Sequence, residues 1–80
     1  MSNPDIRFIA RLETIVRERL EDGDPASYTV RLATWGTKRI AQKVGEEAVE
    51  LALAAAVGSE QEVIDEAADL VYHLVVLLNE

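Results

Sequence analysis

The sequence predicts an all-α fold, a helical hairpin preceded by an N-terminal helix, in a single domain spanning residues 1–80. Three observations carry that expectation. Apolar residues recur at three- and four-residue intervals along most of the chain, the period of one helix face. Turn and cap residues interrupt them at Gly23-Asp24-Pro25, at Gly36 and at Gly58-Ser59. The connection at Gly58-Ser59 is so short that the helices on either side must run antiparallel.

In chain order, Asn3, Pro4 and Asp5 read as N-cap, N1 and N2 of a first helix, because a short polar side chain caps well and proline suits the first helical position. Ile9, Leu12, Val16 and Leu20 form its apolar stripe, and it should stop near Asp22. Gly23, Asp24 and Pro25 turn the chain. Ser27 is placed to cap a short helical segment carrying Tyr28, Val30, Arg31 and Leu32, which Gly36 ends. Thr37 is then expected to cap a long helix with Ile40, Val44, Leu51, Ala52 and Ala55 on its apolar side, stopped by Gly58. Ser59 and Glu62 form the capping-box pattern S-x-x-E that opens a last helix through Leu78.

Composition bounds what such a fold can do. A chain of 80 residues buries only about 60% of its unfolded surface, and with no cysteine it has no disulfide to reinforce it. Small domains of this kind often complete their core by oligomerising. One hairpin also leaves much apolar surface uncovered, so pairing of two copies into a dimeric four-helix bundle is expected. Met1, Ser2, Asn3 and Pro4 lack the basic start and apolar stretch of a secretory signal, and no apolar run approaches the roughly 20 residues of a membrane span. The expectation is a soluble cytoplasmic protein with no membrane partner.

Charge is unevenly distributed. All eight basic residues lie within the first 43 positions, beside six acids, whereas the remainder carries nine acids and no Lys or Arg, giving a net charge of -7. That balance repels a nucleic-acid backbone and argues against polymeric nucleic acid as a partner. A small phosphorylated ligand stays compatible, provided metal ions screen the acids and Lys38, Arg39 and Lys43 lie close to them.

Those acids fall into two pairs, Glu47 with Glu50 and Glu66 with Asp69. Each has i, i+3 spacing, which puts both carboxylates on one helix face. Glu50 and Glu66 are at comparable distances from the Gly58-Ser59 turn, so at about 1.5 Å rise per residue the hairpin brings the pairs to similar heights. Between Val63 and Leu78 only Asp65, Glu66, Asp69, Tyr72 and His73 are polar, and a helix so poor in polar surface is expected to be largely buried. Buried ionised carboxylates need a partner. Hard oxygen donors without cysteine suit Mg²⁺ or Mn²⁺ better than zinc.

Each feature also has a plainer reading. One acidic pair usually marks a solvated helix face; two pairs at matched height in an apolar helix shift the balance. Lys43 has the i, i+4 spacing for an ion pair with Glu47 and is equally placed to meet a phosphate. His73 shares the Asp69 face and is either a donor to a carboxylate or phosphate oxygen or an ordinary buried histidine. Tyr72 and Trp35 read as core or interface anchors.

Four runs together resemble one family: Ser27-Tyr28-Thr29, then Gly36-Thr37-Lys38-Arg39-Ile40, then Lys43-Val44-Gly45-Glu46-Glu47-Ala48-Val49-Glu50, and Glu66-Ala67-Ala68-Asp69-Leu70-Val71-Tyr72-His73-Leu74. They are similar to the phosphoribosyl-ATP pyrophosphohydrolases of histidine biosynthesis. The likeness runs from the first helix to Leu78, and K-V-G-E-E-x-x-E with E-A-A-D-L-x-Y-H is a specific combination. The wider group is the all-α nucleotide pyrophosphohydrolases of MazG type, which share E-x-x-E followed by E-x-x-D. Here Glu47 and Glu50 fill the first half, and Glu66 and Asp69 the second.

The resemblance implies hydrolysis of phosphoribosyl-ATP to phosphoribosyl-AMP and pyrophosphate by water. Glu47, Glu50, Glu66 and Asp69 would hold Mg²⁺ or Mn²⁺, and Glu46 or Glu47 would take the water proton. Lys38, Arg39 and Lys43 would contact phosphates, with Ser27, Tyr28, Thr29 and His73 completing the substrate pocket. A homodimer and association with the pathway's cyclohydrolase are implied as well. Two other readings stay open: a MazG-type pyrophosphohydrolase of another nucleoside triphosphate, and a non-catalytic helical dimerisation module whose acids are surface charge.

Overall fold

The structure is a computed structural model that describes residues 7–80; the expected cap at Asn3, Pro4 and Asp5 lies outside the described residues. Four helices follow one another, α1 (Arg7–Asp22), α2 (Tyr28–Trp35), α3 (Thr37–Val57) and α4 (Glu60–Leu78), and no strand occurs among the described residues. The fold is all-α, with α3 and α4 as the antiparallel hairpin and α1 and α2 packed across one end of it.

The turns follow from their residues. Gly23 adopts the left-handed φ of 69° that ends α1, with its N–H bonded to the Arg19 carbonyl at 3.0 Å. Asp24 Oδ1 then accepts from the Ala26 N–H at 2.9 Å, the aspartate turn that side chains of this type favour. Gly36 is the single residue between α2 and α3, and its φ of 87° is one that other residues adopt only under strain. Ser59 caps α4 as expected, its side chain accepting from the Glu62 N–H at 3.2 Å.

Three expectations need correction. Gly36, not Thr37, is the N-cap of α3; the Thr37 hydroxyl instead donates to the Glu80 carboxylate at 2.8 Å. Ser27 stands at the N-cap of α2 but its side chain makes no capping bond. Helix α4 is not largely buried: only His73, Val75 and Val76 are fully so.

The last point shows where the core sits. Val16, Leu32, Ile40, Val75 and Val76 are buried together, with Leu12, Leu20, Val71, Tyr72 and Leu77 around them. Every helix contributes, and all contributions meet where the start of α3 lies beside the end of α4. At the opposite end of the hairpin no described residue covers Val49, Leu53 and Val57, one helical row on α3, or Ile64 on α4, all more than half exposed. The acidic pairs lie between the packed end and the bare end. None of the described helices is long and apolar enough to cross a membrane.

Candidate functional site

Glu47 points from α3 toward α4 and is 7% exposed. Glu66 and Asp69 project from the facing helix, and one carboxylate oxygen from each of the three lies within 4.8 Å of the others. Glu50, one turn beyond Glu47, acts on the same group from the exposed side. Burial first, and then the neighbouring charges of Glu50, Glu47 and Asp69, push the Glu66 carboxyl up to about 7. Burial likewise raises Glu47, helped by Glu50 and Asp69. Two oxygens, Glu47 Oε2 and Glu66 Oε2, are shut off from solvent without a hydrogen-bond partner among the described residues.

Orphaned carboxylate oxygens of this kind are costly when ionised, and a proton or a cation relieves the cost. An all-oxygen donor set of several carboxylates fits a hard divalent ion. The residues present therefore suit Mg²⁺ or Mn²⁺.

The basic residues do not act as one cluster. Lys43 stands one turn before Glu47 and reaches Glu46 at 3.5 Å and Glu47 at 3.7 Å. Burial pulls its ammonium pKa down, but the hydrogen bond to Glu46 and the charges of Glu46, Tyr28 and Glu47 outweigh that and hold it above the ordinary value. Arg39 lies over the Trp35 ring at 5.4 Å and bonds Gln42 Oε1 weakly at 3.4 Å. Lys38 is exposed, and nine residues at about 100° each put it on the side of α3 opposite Glu47. Of the three, Lys43 is the one brought to the carboxylates. Glu46 stays outside the group, accepting from Gln42 at 2.8 Å; that bond and Lys43 hold its carboxyl below the usual range.

The start of α2 rests on the middle of α4. His73 is buried and uses both ring nitrogens inside the chain, Nδ1 on the Asp69 backbone carbonyl at 2.7 Å and Nε2 on the Tyr28 hydroxyl at 3.2 Å. Of the two readings of His73, this is the buried histidine; neither ring nitrogen meets a carboxylate oxygen. Thr29 is fully buried, and its hydroxyl shares a hydrogen bond with that of Tyr72. Tyr28 stacks on Tyr72 with ring centres 6.1 Å apart and meets Trp35 edge-on at 6.1 Å. Thr29 is thus closed off from any ligand in this chain, whereas Tyr28 keeps an exposed edge. The Ser27 hydroxyl is enclosed and unbonded.

Sequence reasoning missed one part of the surroundings. Beside Asp69 and Tyr72 a mainly apolar groove of about 430 Å³ opens against α1, walled by Phe8, Leu12 and Ile15. The signal was available: Phe8 and Ile15 flank Leu12 at i, i+4, i+7 spacing and widen the apolar face of α1 beyond its core-facing row.

Comparison with known proteins gives a consistent result. The family described as phosphoribosyl-ATP pyrophosphohydrolase matches residues 9–80. The phosphoribosyl-ATP pyrophosphatase of Pyrobaculum aerophilum is 54% identical over 73 residues, which is 91% of this chain and 78% of that protein. The histidine biosynthesis bifunctional protein HisIE of Campylobacter jejuni is 58% identical over 76 residues, 95% of this chain and 37% of that protein. The bifunctional protein of the same name from Pasteurella multocida is 54% identical over 79 residues, of which this chain spans 39% of the length.

Proposed function

We propose, from the premise that this chain belongs to the phosphoribosyl-ATP pyrophosphohydrolase family, that it hydrolyses phosphoribosyl-ATP to phosphoribosyl-AMP and pyrophosphate in histidine biosynthesis. The observation that carries the proposal is the meeting of Glu47, Glu66 and Asp69 within 4.8 Å, with two of their oxygens buried and unpartnered.

Glu47, Glu50, Glu66 and Asp69 would hold Mg²⁺ or Mn²⁺, which when bound neutralises polyphosphate charge and makes a nearby water more acidic. Lys43, one turn away on α3, contacts the phosphates from the side, its charge held by Glu46 and Glu47. A general base must lie within reach of the water it deprotonates. Of the two candidates, Glu47 lies in the carboxylate group with Glu66 and Asp69, whereas Glu46 stands outside it and is engaged by Gln42, which favours Glu47 as the group taking the water proton. The apolar groove beside Asp69 is the surface suited to a nucleobase.

The uncovered row of Val49, Leu53 and Val57 supports a homodimer in which two hairpins form a four-helix bundle. A cytoplasmic location and association with a cyclohydrolase belong to the same proposal; the second is supported by relatives that are bifunctional proteins of histidine biosynthesis.

Incubation with phosphoribosyl-ATP tests the reading, with pyrophosphate release followed in Mg²⁺, in Mn²⁺ and in chelator. Release only with metal is expected. Release from another nucleoside triphosphate but not from phosphoribosyl-ATP would move the chain to a different substrate, and no metal-dependent release from any of them would refute it.

A further inference from the structure

The partners of His73 fix the tautomer of its neutral ring. A backbone carbonyl can only accept, so the 2.7 Å contact with the Asp69 oxygen puts the proton of the neutral ring on Nδ1. Nε2 is then an acceptor, and the Tyr28 hydroxyl 3.2 Å away donates to it. The ring is 5% exposed, packed edge-on against Tyr72 at 5.4 Å and Tyr28 at 6.0 Å, so water cannot replace either partner.

These contacts converge on one turn. Asp69, Tyr72 and His73 follow at i, i+3 and i+4 on α4, and the last two are tied directly to the first two residues of α2. Thr29 takes Tyr72, Tyr28 takes His73, and His73 closes the path back to the Asp69 peptide. The Asp69 carbonyl receives the imidazole N–H in addition to the ordinary helical N–H from four residues on. Neither Tyr28 nor His73 spends its polar atoms on the carboxylate side chains.

We propose that Tyr28 and His73 are positioning residues: with His73 locked as the Nδ1–H tautomer, they hold the α4 turn carrying Asp69 in register with Glu47, and so preset the spacing of the carboxylates that would receive the cation. The idea rests on the metal reading of that cluster. It assigns to the α2 segment a mechanical role in place of direct contact with substrate, and it explains why a tyrosine hydroxyl and an imidazole are aligned behind the site.

His73 is the chain's single histidine, so its ring can be observed alone. Nitrogen NMR of the neutral ring should show Nδ1 protonated and Nε2 bare, the reverse of the tautomer that free histidine favours in water. Mn²⁺ binding is then titrated directly against Tyr28→Phe, His73→Asn and His73→Leu. Loss of one net hydrogen bond should weaken Mn²⁺ binding roughly two- to tenfold in Tyr28→Phe, with helix content unchanged. His73→Asn should bind better than His73→Leu, because an asparagine amide can reach the carbonyl four residues back, as Asn79 does to Val75 at 2.9 Å. An Nε2–H tautomer in the wild type overturns the proposal, as do equal Mn²⁺ affinities in wild type and Tyr28→Phe. Absence of Mn²⁺ binding by the wild type overturns the metal reading itself and takes this role with it.

Discussion

Glu47 on α3 and Glu66 on α4 face one another across the hairpin, each with its Oε2 atom hidden from solvent and unbonded. Two such groups cannot both ionise comfortably without a cation, and Glu66 meets the difficulty by keeping its proton up to about pH 7.

That shift has a stability consequence of definite sign. An unfolded glutamate releases its proton near its ordinary value of 4.5, while folded Glu66 holds it to about 7. Between those limits the native state binds more protons than the unfolded one, so stability falls as pH rises through the window. Glu47, raised in the same direction, adds to the fall. Melting curves in chelator should therefore show Tm dropping from pH 5 to pH 7.5. Glu66→Gln should flatten the drop, and a Tm that rises over this range contradicts it.

Amide replacements separate the site from the fold. Asp69→Asn and Glu50→Gln keep side-chain size at exposed helix positions, so helix content should be unchanged. Ligand binding to the native state alone raises stability by about 2.7 kcal/mol at a hundred times Kd. The wild type should gain Tm on addition of Mn²⁺, and each variant should lose that gain together with metal-dependent pyrophosphate release.

The hairpin and its acids were legible in the sequence because they depend on local rules: a glycine stop, a serine cap, i, i+3 spacing and equal distances from a turn. What was not legible depends on phase or on distant partners. Lys38 and Arg39 are neighbours in sequence, yet on a helix adjacent residues diverge by about 100°, so a run of basic residues did not make a basic patch beside Glu47. His73 could not be assigned from its own helix, because its second partner, Tyr28, is 45 residues away. Thr37 looked like a cap, but the positive φ of Gly36 leads the chain directly into α3 and releases the hydroxyl to Glu80. The apolar run in α4 was expected to be largely buried, which a single chain with no second hairpin against it cannot supply.

Gly58 offers a test of backbone fit. Its φ of -98° is ordinary for any residue, so conformational freedom is not the reason for a glycine there. A Cβ would lie 2.5 Å from Glu62 Oε2 and 2.9 Å from the Ala54 carbonyl oxygen. The glutamate side chain can swing away; the carbonyl, already bonded to the Gly58 N–H at 2.8 Å, cannot. Gly58→Ala should cost about 1–3 kcal/mol, which for a domain of this size is a fall of several degrees or more in Tm. An unchanged Tm means the α3–α4 turn is looser than described.

Lys43 and Lys38 make a matched pair for substrate binding. Both are cations near the start of α3, but only Lys43 reaches the carboxylates. Removing a charged hydrogen-bond donor from a phosphate costs about 1.5–3 kcal/mol. Lys43→Gln should therefore raise KM for phosphoribosyl-ATP roughly tenfold or more, whereas Lys38→Gln should stay within about twofold. Equal effects of the two substitutions would mean that the substrate reaches both faces of the helix.

The bare end of the hairpin predicts how the chain assembles. Val49, Leu53 and Val57 lie four residues apart on α3, and the last is 87% exposed, an unfavourable arrangement for a small monomer in water. A second copy laid against this row would bury it and enclose the exposed side of Glu50 at the same time. Leu53→Glu puts a charge in the middle of the row without touching the core around Val16, Leu32 and Ile40. Sedimentation at micromolar concentration should then find the wild type dimeric and the variant monomeric, with the helices of both intact by circular dichroism. A monomeric wild type would assign the row to some other partner, and the four carboxylates would have to complete their site within one chain.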